Sequence, residues 1–453
     1  MRRLLPILAA VASLATLTVG AAPAEAQIGL ARAHGFAPHQ VIVKFAGERT
    51  ARKLRLPAGV SVRERAGALR DKPKVEYAEP NYVATASGQA GSSSFAVPDD
   101  PGTFLEGPAE AAATLGGWAF EQWNFLDPEG LTSGRLPTSP GGIDAVDAWR
   151  HLEEVGRPGA EGITVAVLDT GIAYRSQGTD FSRSPDFGAG QFVKGYDFVA
   201  KDRVPLDENG HGTHVAGTIA EKTDNGVALT GLAYRAKLMP VRVLDKQGRG
   251  DATTIARGIR FAVAHHARVI NMSFNFGCGK KVPVVDEALR EAYARGVVTV
   301  ASAGNIGSET CVSEPATGPR VIAVGGSTEG GCLGDYSLAG TAIDVLAPGG
   351  GSPAPGCLSI SARPIYQVTL KPGSTSEFGI PGNYVGTSMA AAHVSGVAAL
   401  VLASGVLGPQ PTPKARVNAV TRRLRTTARS LGLASTQQGA GLIDAAAATD
   451  PNP

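Results

Sequence analysis

The chain has 453 residues, 43% of them hydrophobic and 18% charged, a balance that indicates a folded globular protein and excludes a disordered one. Its net charge of +3 is too small to argue for a nucleic-acid partner, and no basic stripe with interleaved aromatics appears. Four cysteines (Cys278, Cys311, Cys332 and Cys357) lie in the second half, without the C-x-x-C or H-E-x-x-H spacing that would support zinc.

The chain opens like a secretory signal. Arg2 and Arg3 precede an apolar run from Leu4 to Ala22, and Ala24-Glu25-Ala26 supplies the small-residue exit. Residues 1–26 are therefore expected to be a signal peptide, with Pro6 and Pro23 arguing against a membrane anchor. No later stretch reads as a span, so a secreted, extracellular protein with no membrane association after signal removal is expected. Export makes disulfides the expected state of the cysteines. Four cysteines allow three pairings, of which the nearest-neighbour one, Cys278–Cys311 with Cys332–Cys357, is favoured.

Between Gln27 and Thr85, 11 Lys/Arg stand against 5 Asp/Glu, so a basic unit precedes a mildly acidic body and is suited to electrostatic docking on it. Within that unit His39–Phe45 alternates like a strand, Ala51–Leu56 and Val62–Arg70 read as helical, and Val75–Tyr82 closes it. Val83 to Asp100 is rich in Ser, Gly and Ala, the composition of a protease-accessible linker. In the body, Ile163–Leu168, Leu238–Leu244, Arg268–Ser273, Val297–Ser302, Arg320–Val324 and Ile343–Leu346 read as strands. His211–Glu221, Ala252–Ala267, Val284–Arg295, Thr387–Ala403 and Thr412–Ala428 read as helices. Strands alternating with crossover helices imply an α/β fold with a mostly parallel sheet, whose sites gather at the carboxyl ends of strands.

Four residues carry the chemistry. Ser388, in Gly386-Thr387-Ser388-Met389-Ala390, sits at the mouth of a helix whose free N–H groups and dipole can stabilise a developing oxyanion. Asp169 ends the strand Ile-Thr-Val-Ala-Val-Leu, where an orienting acid would be held. His211, after Asn209-Gly210, can donate from one ring nitrogen to that carboxylate and face a nucleophile with the other. Asn305 follows Ala301-Ser302-Ala303-Gly304 just beyond a strand, and a side-chain amide there can donate to an oxyanion, worth about 3 kcal/mol of transition-state stabilisation. Each has an ordinary reading as a helix cap, turn residue or packed side chain. Their joint order defeats those readings. His214, one turn beyond His211, reads as a packed structural histidine because the glutamate of a zinc helix is absent.

The order Asp…His…Ser, with VAVLDTGI, NGHGTHVAGT, VINMSF, ASAGN, GTSMAAAHVSG and the closing GAGLIDAAAA, resembles the subtilisin-like serine proteases (subtilases) over residues 120–448. The resemblance implies a three-layer α/β/α catalytic domain over 118–453, a linker and N-terminal extension over 85–117, and a small α+β propeptide over 27–84. It also implies an endopeptidase with Ser388 as nucleophile, His211 as general base and then acid, and Asp169 as its orienter. Asn305 and the Ser388 N–H would form the oxyanion hole. Substrate would lie as an added strand between Gly248-Arg249-Gly250 and Ser273-Phe274-Asn275, against Ser302-Ala303-Gly304, with broad specificity. The propeptide would act as an intramolecular inhibitor of a monomeric enzyme that acts on proteins and peptides and self-processes.

Some positions depart from the family. Ala392 stands where a proline is usual, and Phe274-Asn275-Phe276 where Leu-Gly-Gly is usual, so Asn275 is expected to narrow or reshape the primary pocket. Glu314 and Arg249 read as solvated charges near the cleft. The chemistry requires no cofactor. Asp197, Asp202 and Asp207 offer hard oxygen ligands for a structural calcium, although Ala200, Val204 and Leu206 interrupt the run. A lipase-like hydrolase is excluded because no G-x-S-x-G elbow follows a strand.

Overall fold

A computed structural model describes residues 36–48, 52–57, 59–82, 98–102, 117–129, 136–188, 190–307 and 311–453. The signal segment and most of the linker lie outside the described residues. The chain divides into two units, residues 1–93 and 94–453.

In the first unit, β1 (Phe36–Phe45) pairs antiparallel with β2 (Arg52–Arg55) and with β3 (Val75–Tyr82). Helix α1 (Val62–Arg70), capped by the Ser61 hydroxyl, packs on β1 and β3. Val41, Val43, Val62, Ala66 and Ala78 form its core. The helix expected over Ala51–Leu56 is the strand β2. Leu54 and Leu56 both pack against this core while Arg52, Lys53 and Arg55 stay exposed. That two-residue period is met by a strand and not by a helix.

In the second unit, short helical turns at Trp118–Glu121 and Trp123–Phe125 precede α2 (Ala145–Glu154), β4 (Thr164–Asp169), β5 (Tyr196–Asp197), α3 (His211–Ala220), β6 (Lys237–Arg242) and α4 (Ala252–Ala264). Then come β7 (Val269–Met272), β8 (Gly277–Cys278), α5 (Pro283–Arg295), β9 (Val298–Ser302), β10 (Ser313–Glu314), β11 (Val321–Ser327) and β12 (Val345–Pro348). The hairpin β13 (Thr369–Leu370) and β14 (Phe378–Gly379) precedes α6 (Thr387–Ser404) and α7 (Pro413–Thr426). Seven strands form one sheet in the order β12-β11-β9-β7-β4-β6-β5, with every neighbouring pair parallel.

Strand residues alternate between two cores, which makes the fold three layers deep. Val165, Val167, Val298 and Val300 point to the α3 and α6 side, whereas Ala166, Leu168, Ala301 and Ala323 point to α4 and α5. Helix α6 is apolar on all sides, and 89% of it is buried. Length and composition would let it cross a membrane, but here it is the central core helix. Disulfides join Cys278 to Cys311 and Cys332 to Cys357, with Cα–Cα separations of 5.8 and 6.2 Å.

Candidate active site

Asp169 is the last residue of β4 and wholly buried, and His211 is the first of α3. Nδ1 of His211 lies 2.8 Å from Oδ1 of Asp169. A carboxylate can only accept, so Nδ1 carries the proton and Nε2 presents a lone pair. The His211 side chain keeps 26% of its exposure, so substrate can reach the ring. Burial works to lower its pKa, but Asp169 overcomes this through charge and hydrogen bond, with Asp207 adding, and the net shift is upward. The protonated ring is thereby stabilised.

The turn that aims His211 is built by Asp207. Its Oδ1 accepts from the Thr170 hydroxyl at 2.9 Å and from the N–H groups of Asn209 and Gly210 at 2.9 and 3.1 Å. Its Oδ2 accepts from the N–H and hydroxyl of Thr213 at 2.9 and 2.6 Å. Five donors therefore hold the residue read from the sequence as a calcium ligand. Asp197 is similarly engaged by the Val199 and Ala200 N–H groups and by Arg242 at 3.2 Å, and Asp202 caps Val204 at 2.8 Å. The three aspartates do not converge, and among the described residues no group of three His, Cys, Asp or Glu gathers. The sequence signal for Asp207 was its Asp-x-Asn-Gly context, the pattern of an Asx turn.

Ser388 is the second residue of α6. Its hydroxyl donates to the Ser273 carbonyl at 3.1 Å, and the Ser273 hydroxyl donates to the Ser388 carbonyl at 2.8 Å. No hydrogen bond joins Ser388 to His211 among the described residues. Such contacts commonly tighten only with substrate bound. Asn271, on β7, anchors the pair: its amide donates to the Ser273 hydroxyl at 3.0 Å, and its carbonyl accepts from Ser395 at 2.9 Å. Sequence reasoning passed over Asn271, a polar residue inside the apolar strand Val-Ile-Asn-Met.

Asn305 is exposed beyond β9, and its orientation is fixed by Thr387. The Thr387 N–H and hydroxyl both donate to Oδ1, each at 2.8 Å, so Nδ2 is left as the outward donor. Gly386 has φ 149°, and a Cβ on it would sit 3.0 Å from that Nδ2, so a side chain there would strain the backbone and press on the amide. Asn305 Nδ2 is thus a free donor beside the start of α6, where the Ser388 N–H is unbonded among the described residues.

Of the expected substrate residues, Ser273 is bonded to Ser388 directly, and Gly304 to the neighbouring Thr387. Ser302 donates to the Phe274 carbonyl at 3.4 Å, and the Gly304 N–H donates to Thr387 at 3.1 Å. The Gly248–Gly250 turn connects to the His211 side, because Asn209 donates to the Lys246 carbonyl at 2.9 Å. Arg249 and Asn275 are exposed. Glu314, expected in solvent, is instead buried at 1% exposure and pairs with Lys281 at 3.3 Å. Its strand, β10, is sandwiched against β8, which draws the carboxylate inward. His214 is buried, donates to the Ile365 carbonyl at 3.0 Å and stacks on Tyr384 at 3.9 Å. Burial pushes its pKa down to about 3, so it stays neutral and structural.

A family model described as the subtilase family matches residues 160–441. The chain is 33% identical over 338 residues to the thermophilic serine proteinase of Bacillus sp. (strain AK1), covering 75% of this chain and 66% of that one. It is 35% identical over 367 residues to the extracellular protease of Xanthomonas campestris pv. campestris, covering 72% of this chain and 55% of that one. The chain thus spans just under two thirds and just over half of these two relatives. The solved structure of a protease from Pseudoalteromonas arctica PAMC 21717 superposes with a TM-score of 0.59 at 30% identity, over 78% of this chain and 98% of that one. The motif order, the Asp169–His211 pair at the end of a parallel sheet and the family match over more than half of its length have one explanation: the chain belongs to the subtilase family.

Proposed function

We propose that the protein is a secreted serine endopeptidase, made as a precursor and processed by its own active site. The observation that carries this reading is the His211–Asp169 hydrogen bond of 2.8 Å, which fixes the tautomer that makes Nε2 a base beside α6. His211 removes the Ser388 proton as Oγ attacks the scissile carbonyl, and the oxyanion formed is received by Asn305 Nδ2 and the Ser388 N–H. The imidazolium then protonates the leaving amine, and water repeats the sequence on the acyl-enzyme to release the carboxylate. No cofactor enters these steps.

Substrate lies as an added strand between Gly248-Arg249-Gly250 and Ser273-Phe274-Asn275, with Ser302-Ala303-Gly304 behind the scissile bond. Main-chain hydrogen bonds dominate such binding, which supports a broad range of protein substrates. Residues 27–84 act as propeptide and inhibitor, a role supported by their own small fold and basic charge against an acidic body. Export is supported by the leader, the two disulfides and the extracellular relative. Calcium, if bound, is structural, and a melting curve in EDTA decides the matter: a fall of several degrees supports a bound metal, and an unchanged Tm removes it.

Labelling with a fluorophosphonate tests the central claim. The reading requires stoichiometric modification of Ser388 and loss of casein hydrolysis. An unlabelled, folded protein would make the chain a binding scaffold instead.

A further inference from the structure

Parallel strands give the sheet two chemically different ends. Asp169 and Ser302 end their strands at the active site, whereas Arg268 and Val297 stand just before β7 and β9 at the opposite end. There a cavity of about 840 Å³ opens between the ends of α4 and α5 and the start of α7. Its charged lining comprises Arg260, His266, Arg268, Glu291, Arg295 and Arg416.

The internal charge balance is incomplete. Arg260 is matched, because its guanidinium makes a two-pronged contact with Glu291 at 3.0–3.1 Å. Arg295 lies in the last turn of α5, where the helix dipole alone favours a cation. Of the four arginines, one has a carboxylate partner and, among the described residues, three do not. Arg268 buries its Nε with no partner among the described residues, and Arg416 is close enough to depress the Arg268 pKa after burial itself has done so. Two like charges sharing a cavity without a counter-charge repel, and a buried, unpaired guanidinium N–H is unfavourable. His266 adds a second anomaly: it is a non-glycine residue held at φ 66° on the rim.

We propose that this cavity binds a phosphate group through the guanidiniums of Arg268, Arg295 and Arg416. Planar forks of N–H donors match the oxygens of a phosphate, and three uncompensated cations favour a dianion over a single carboxylate. The volume falls within the roughly 300–1,000 Å³ of small-molecule pockets, so the group has room to arrive on a small organic monoester. The site is separate from the Ser388 chemistry and does not depend on it.

The test uses the full chain carrying Ser388→Ala, which prevents self-digestion. Inorganic phosphate and glycerol 3-phosphate are titrated by calorimetry at constant ionic strength set with sodium chloride. Saturable 1:1 binding of either supports the proposal, and the tighter of the two identifies free phosphate or a phosphomonoester as the source. Arg416→Gln and Arg295→Gln, both on helix surfaces, are each expected to weaken binding about tenfold with unchanged helix content. Absence of saturable binding overturns the site. So does a thermal shift that grows without limit and equally in all variants, the mark of a bulk salting effect.

Discussion

Two helices that only build the fold, α4 and α7, begin differently from the two that carry the site, α3 and α6. Helix α4 starts with Asp251, whose carboxylate accepts from the Thr253 and Thr254 N–H groups at 2.9 and 3.0 Å, and α7 starts with Thr412, which accepts from Ala415 at 3.1 Å. These side-chain caps satisfy the free donors of a first turn. Helices α3 and α6 start instead on Gly210, at φ 100°, and Gly386, at φ 149°, with no side-chain cap. At α3 the open donors are met from elsewhere, by Asn209, Thr170 and Asp207 at 2.9–3.1 Å, and this locks the turn that aims His211. At α6 the Thr387 donor goes to Asn305, and the Ser388 donor has no partner among the described residues. A cap contributes stability, and its omission at these two starts frees the first turn for chemistry.

If that contrast is right, substitutions at the two kinds of helix start separate activity from stability. The largest effect is expected from Ser388→Ala, which should lower kcat by about 10⁶-fold and leave the precursor uncleaved, as read by casein hydrolysis and N-terminal analysis. Asp169→Asn, which destroys the tautomer, should lower kcat by about 10⁴-fold with the fold intact by circular dichroism. Asn305→Ala removes one oxyanion donor and should lower kcat by about 10²–10³-fold with little change in KM. A change confined to KM would show that Asn305 binds substrate and does not stabilise charge. Gly386→Ala should push on that same amide from behind, lowering kcat by up to about 10²-fold while leaving the amide itself in place.

His211 sharpens the contrast in pH. Only the neutral ring is a base, so kcat/KM should rise with pH through a midpoint above the usual 6.5. The Asp169–His211 pair affects stability with the opposite sign. A raised folded pKa means that the native state holds its proton more tightly. The contribution is therefore fully present below the unfolded value and is lost as pH rises through the folded one. Asp207→Asn removes one of the negative charges that raise this pKa, and its rate midpoint should move down. A midpoint at or below 6.5 in the parent enzyme would contradict the upward shift.

Much of this was legible because β4, β7 and β9 are short Val/Ile-rich runs that end where their motifs begin. Local pattern was enough to place Asp169 at a strand end and His211 and Ser388 at helix starts. What escaped depended on partners distant in sequence. Glu314 reads as a surface charge until Lys281, 33 residues away, and the β8–β10 pairing enclose it. Asp207 reads as a cation ligand until the donors of its own turn and of Thr170 and Thr213 are seen to occupy both oxygens. Helix α2 was missed although Val146, Trp149 and Leu152 are all buried at a helical spacing. Its start carries no capping signal, because Asp144 there adopts φ 52° and makes no cap bond.

The smallest expected effect tests the comparison most directly. Thr412→Ala removes the hydroxyl that caps α7, a helix that contributes no side chain to the site. The loss should be about 1 kcal/mol of folding stability, read from denaturant midpoints, with kcat and KM unchanged. Asp251→Ala should behave alike at α4, and the two losses should add because the caps share no partner. Gly386→Ala must then show the reverse pattern, with activity falling further than stability. Should Thr412→Ala lower kcat as Gly386→Ala does, the two kinds of helix start would be doing the same work, and the division between structural caps and chemically open ones would fail.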